Sequence, residues 1–112
     1  MDRVERLLRR LALSDERFLR SALADPGTAG ASALDAKTQA LIRLGALLSV
    51  GAATVSLRWT VELAYAAGAS EEEILGVLLA IGPAVGHARV VGVAPNLALA
   101  LGYDVEEADE AG

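Results

Sequence analysis

Between Asp35 and Leu101 the apolar residues of this chain recur at helical spacing on more than one face of each segment. A helix that is hydrophobic nearly all round cannot be left in water, so neighbours or another molecule must cover it. The chain has only 112 residues, 54% of them hydrophobic, which is room for one core. A domain of that size buries roughly two-thirds of its unfolded surface. Some apolar faces are therefore expected to meet other copies of the chain, and homo-oligomerisation with closed symmetry is the first functional expectation.

Several classes of function fall away at once. There is no cysteine, so a disulfide scaffold, thiol redox chemistry and cysteine-ligated zinc are excluded. One histidine does not make a metal site, since ligands come in clusters of three or four. The glycines form no phosphate-loop pattern, so neither a metal nor a cofactor is expected. The first twenty residues carry six arginines interleaved with four acids, and the net charge is −5, a poor match to a nucleic-acid backbone. The uncharged run between Arg43 and Arg58 is 14 residues, short of the ~20 needed to span a bilayer. Asp2 and Glu5 argue against a secretion signal or transit peptide. A cytoplasmic protein with no nucleic-acid or membrane partner is expected.

Alanine and leucine number 42 against 13 valines and isoleucines, so propensity points to an all-α fold. Val90 to Val93 is β-like but too short to make a sheet. Val4, Leu7, Leu8 and Leu11 form an amphipathic first helix, and Ser14 starts a second that ends at Asp25-Pro26-Gly27. Pro26 to Ala33 reads as a linker. Asp35 caps a third helix that buries Ala40, Leu41, Leu44, Leu47 and Leu48 and stops at Gly51. A fourth runs from about Thr54 to Ala67 and ends at Gly68. Ser70-Glu71-Glu72-Glu73 is a capping box that starts a fifth, expected to end at Gly82-Pro83. The last begins near Pro83, reaches about Leu101 and is expected to kink at Pro95. The expected organisation is a single helical domain over 1–103, with an N-terminal helical pair in 1–25 and a core in 34–103. An acidic, disordered tail over 104–112, with five acids and no base, follows.

From Leu34 onward the chain resembles the AhpD-like, carboxymuconolactone decarboxylase superfamily. The resemblance lies in Leu34-Asp35-Ala36-Lys37-Thr38 leading into a helix and in the alanine- and leucine-rich run to Gly51. It continues through Ala66-Ala67-Gly68-Ala69-Ser70-Glu71-Glu72-Glu73-Ile74 to Gly82-Pro83-Ala84-Val85 and the last helix. It implies a compact subunit of about six helices that assembles as a trimer or hexamer. In the family's peroxidase branch a glutamate, a C-x-x-C pair and a histidine form a thiol–proton relay. The positions that match them here are Ala40, Ala52, Val55 and Trp59. No thiolate can form at Ala52 or Val55, so peroxide reduction by the family mechanism is excluded. The decarboxylase branch keeps acid and histidine groups near the same places, and Ala40 and Trp59 lack those too. Loss of the whole relay points to a repurposed site.

Candidates for a new site follow from helical geometry. Ala52, Val55, Trp59 and Glu62 fall within roughly 80° of one another on helix four. Glu62 beside Trp59 in an apolar cleft is a candidate general acid or base; the plainer reading is an i, i+4 ion pair with Arg58. His87, the one histidine, is a candidate base facing a pocket between helices four and six; the plainer reading is a subunit contact or a bond to a backbone carbonyl. Trp59 either floors a small apolar pocket or fills the core. Arg58 and Arg89 are candidates to hold a carboxylate, or are solvated or paired with acids. The leading expectation is a homo-oligomeric small-molecule-binding or scaffold protein without thiol peroxidase chemistry. The alternative is a decarboxylase or isomerase acting on a small carboxylated or lactone substrate through Glu62 and His87.

Overall fold

The computed structural model describes residues 2–13, 16–23 and 33–103. All regular structure among them is helical: α1 (Arg3–Ala12), α2 (Glu16–Leu23), α3 (Ala36–Ser49), α4 (Thr54–Ala66), α5 (Glu71–Val85) and α6 (His87–Ala100). The Val90 to Val93 patch lies inside α6. No helix among the described residues is long and apolar enough to cross a membrane. The chain divides into two compact units, Met1–Asp35 and Ala36–Gly112. The expected cap at Ser14, nearly all of the linker and the acidic tail lie outside the described residues.

In the first unit Asp2 caps α1 by accepting the Glu5 amide at 2.8 Å, and Arg9 pairs with Glu5 one turn on at 3.3 Å. Val4, Leu8 and Leu11 form the apolar stripe expected from their spacing and are exposed.

The second unit is a ring of four helices. α3 packs against α4 and α5, and α6 packs against the same two, so α3 faces α6 and α4 faces α5 across the diagonals. Each helix turns one stripe to the centre: Ala40, Leu44 and Leu48 from α3, Leu57, Val61 and Ala64 from α4, Ile74 and Leu78 from α5, Val93, Leu97 and Ala100 from α6. Leu41 and Leu47 flank the α3 stripe, partly buried. The buried Thr60 hydroxyl donates to the Ser56 carbonyl at 3.0 Å, which satisfies the one polar side chain in this core.

The helix ends hold the ring in register. At the end of α3 the Gly51 amide donates to Leu48 and the Ala52 amide to Leu47, at 3.1 and 3.0 Å, the paired bonds of a left-handed cap. Gly51 has φ +71°, and a Cβ there would run into the Arg89 guanidinium of α6. Asn96, also on α6, donates to the Ala52 carbonyl at 3.4 Å and ties α6 to the α3–α4 turn. Gly68 and Ala69 close α4 in the same pattern, as expected from sequence. The capping box is complete: the Glu73 amide donates to the Ser70 hydroxyl at 3.1 Å, and the Ser70 amide donates to the Glu73 carboxylate at 2.9 Å. Lys37 at the start of α3 reaches the same carboxylate at 3.0 Å.

The joint between the last two helices differs from the expectation. α5 continues through Pro83 to Val85, and the break is the single residue Gly86, with φ +91°. Pro83 sits in the last turn, where its missing amide removes only one ladder bond. The left-handed backbone of Gly86 is what turns the chain. α6 likewise runs through Pro95 to Ala100.

Two outcomes are expected. Gly51→Ala should destabilise the protein by about 1–3 kcal/mol in chemical denaturation, since a side chain there is strained by φ, while the Arg89 guanidinium can swing aside. The second concerns pH. The Ser70 amide first, then the Lys37 ammonium, hold the Glu73 carboxyl below the usual carboxylate range. The unfolded chain therefore takes up its proton first, and the stability Glu73 contributes is present above that range and lost as pH falls through it. Denaturation curves from about pH 6 to 3 should show a smaller loss for Glu73→Gln than for the wild type.

Candidate functional site

α4 carries most of the residues singled out from sequence. Its buried stripe, Leu57, Thr60, Val61 and Ala64, fixes its rotation and so turns Val55, Trp59 and Leu63 outward at i, i+4 and i+8. Their exposures are 76%, 59% and 36%, which makes an apolar ridge on the surface of the ring. Trp59 therefore fills no core, and the reading that placed it there is corrected. The inward side of α4 is already packed by leucine, valine and alanine, leaving no volume for an indole.

Arg58 and Glu62 flank the ridge, both exposed. The expected i, i+4 ion pair between them does not form. Of the positions matched to the family relay, Ala40 is buried in the core, Ala52 is partly buried in the α3–α4 turn, and Val55 and Trp59 stand on the ridge. Arg89 lies over Gly51, in the turn that leads into α4.

His87 is the first residue of α6 and is exposed. The sequence reading set it toward a pocket between helices four and six. Instead it lines a shallow groove of about 340 Å³ with Leu78, Leu79, Gly82 and Val90, between α5 and α6. The one-residue joint at Gly86 swings the start of α6 onto the end of α5, which the expected break at Pro83 would not do. Glu62 is not among the residues of that groove. Among the described residues no group of three or more His, Cys, Asp or Glu side chains could hold a metal ion.

A larger groove was not anticipated from sequence. It has a volume of about 560 Å³ and lies between the first half of α5 and the end of α6. Glu71, Glu72 and Tyr103 stand at its edge, and the Tyr103 hydroxyl donates to the Glu71 carboxylate. That bond and the carboxylate charge raise the Tyr103 phenol above its usual range. Tyr65 is raised as well, by partial burial first and by Glu71 second. The signal was present in part: Ser70 fixes where α5 begins, and a close α5–α6 hairpin must then bring that start to the end of α6.

This four-helix ring, with its capping box and its Gly51 and Gly68 turns, is the setting in which the comparison with known proteins has meaning. The model of the carboxymuconolactone decarboxylase family matches residues 19–110, and the chain belongs to that family. No curated protein and no solved structure matches the chain.

Trp59 reports on this face directly. An indole this exposed should emit near the solvated limit in an isolated chain, and a blue-shifted emission that reverts on dilution would mark burial of the ridge by another molecule.

Proposed function

We propose that this chain is a homo-oligomeric binding or scaffold member of the carboxymuconolactone decarboxylase family, without thiol chemistry, whose self-contact is built on the α4 ridge. The observation that carries the reading is the exposed Val55–Trp59–Leu63 line, of which Val55 and Trp59 stand at positions that the family resemblance associates with the relay. A tryptophan flanked by aliphatic residues on an open helix face has the make-up of an interface anchor, large in area and low in conformational cost. Its rim supports a two-fold pairing. In an isologous contact residue i of one copy meets j of the other, and j meets i. Arg58 and Glu62 lie four residues apart, carry opposite charges and form no pair among the described residues, so each is available to the other copy. Such a two-fold contact is compatible with a hexamer built from dimers. A small apolar ligand held by this face would sit between subunits, against Trp59.

The reading without enzymatic chemistry is preferred because Glu62 is not among the residues of the groove that the one histidine lines. The test is the mass of the protein in solution. Light scattering at micromolar concentration should give a multiple of the 11.5 kDa chain. Trp59→Glu should reduce that mass, to the monomer where the ridge is the only contact, with the far-UV helical signal retained. A monomeric wild type overturns the reading.

A further inference from the structure

The α5–α6 seam is a second feature, independent of the Trp59 face. Two grooves lie along it, both touching Leu78: the larger has Glu71 and Tyr103 in its lining and the smaller has His87. From Glu71 to Gly82 the seam spans on the order of 16 Å of helix. The groove walls are Leu75, Leu78 and Leu79 from α5 and Ala94, Leu97 and Ala98 from α6, and the two alanines leave the trough open. A concave site of a few hundred Å³ with apolar walls and a few polar groups at one end is the usual form of a small-molecule site.

The polar end is acidic. Glu73 is occupied by Ser70 and Lys37, but Glu71 accepts only from the neutral Tyr103 hydroxyl and Glu72 pairs with no cation among the described residues. The carbonyl end of α6 opens at the same mouth and offsets the amide end of α5, so the carboxylates set the local sign. We propose that the α5–α6 groove binds a small amphiphilic organic cation, with the ammonium group at Glu71 and Glu72 and the apolar body along Leu75, Leu78, Ala94 and Ala98.

Octylammonium, octanoate and octanol, each titrated below its aggregation limit by calorimetry and by amide shifts in NMR, test the assignment. Octylammonium should bind at least about tenfold more tightly than octanoate at low salt, with octanol between them. The ratio should shrink as ionic strength rises. The shifts should follow Leu75, Leu78, Ala94 and Ala98. Glu71→Gln/Glu72→Gln should bring the cation and the anion to within about twofold of one another, and Ala98→Phe should weaken all three by filling the trough. The double variant alters only exposed side chains, so it stands as a test even where Ala98→Phe disturbs folding. Equal affinity for octanoate, an unchanged preference in the double variant, or no binding because a second copy covers the seam would each overturn the proposal. The Trp59 contact is tested separately, by the solution mass of Trp59→Glu.

Discussion

Four apolar helices around one small centre can each turn only a single stripe inward. That geometric limit governs the rest of the molecule. Leu44 and Leu48, Leu57 and Val61, Ile74 and Leu78, Val93 and Leu97 fill the centre, and the rotation of every helix is then set. Whatever else is hydrophobic must face out. Val55 and Trp59 on α4 and Leu75 and Leu79 on α5 are exposed for this reason, and they supply the surfaces on which function is proposed. The chain is more apolar than its own core can use, and the excess lies on helix faces.

Much of this order is legible in local chemistry. Ser70 with Glu73, Gly51 and Gly68 mark helix boundaries because each satisfies backbone groups that only a helix end leaves open. The α3 stripe is legible because leucine and alanine repeat at helical spacing. The joint between α5 and α6 was misplaced because Gly82-Pro83 carries the conventional breaker residues, whereas a proline in a final turn costs little and Gly86 alone adopts the left-handed backbone. Local propensity ranks breakers; it does not say which of two adjacent ones the packing uses.

The candidate site was legible to a lesser degree. Helical periodicity puts Ala52, Val55, Trp59 and Glu62 on one face; α4 carries the last three, while Ala52 lies in the turn before it. It could not say whether the face points in or out, because α4 is apolar around most of its circumference; the direction depends on which stripe α3 and α6 cover. The relation between His87 and Glu62 depends on the turn at Gly86, so sequence spacing alone could not set it. The Glu71–Tyr103 contact joins residues 32 apart and needs the closed hairpin to exist at all.

A joint of one residue at Gly86 also works as a gear between two rods. Inserting or deleting a single residue there would turn α6 by about 100° relative to α5, carrying Val93 and Leu97 out of the centre and Asn96 away from Ala52. Length variation, the usual raw material for new loops and lids, is therefore closed to this end of the molecule. Divergence at the seam has to proceed by exchanging side chains at constant length, which tunes what the groove accepts without remodelling its walls.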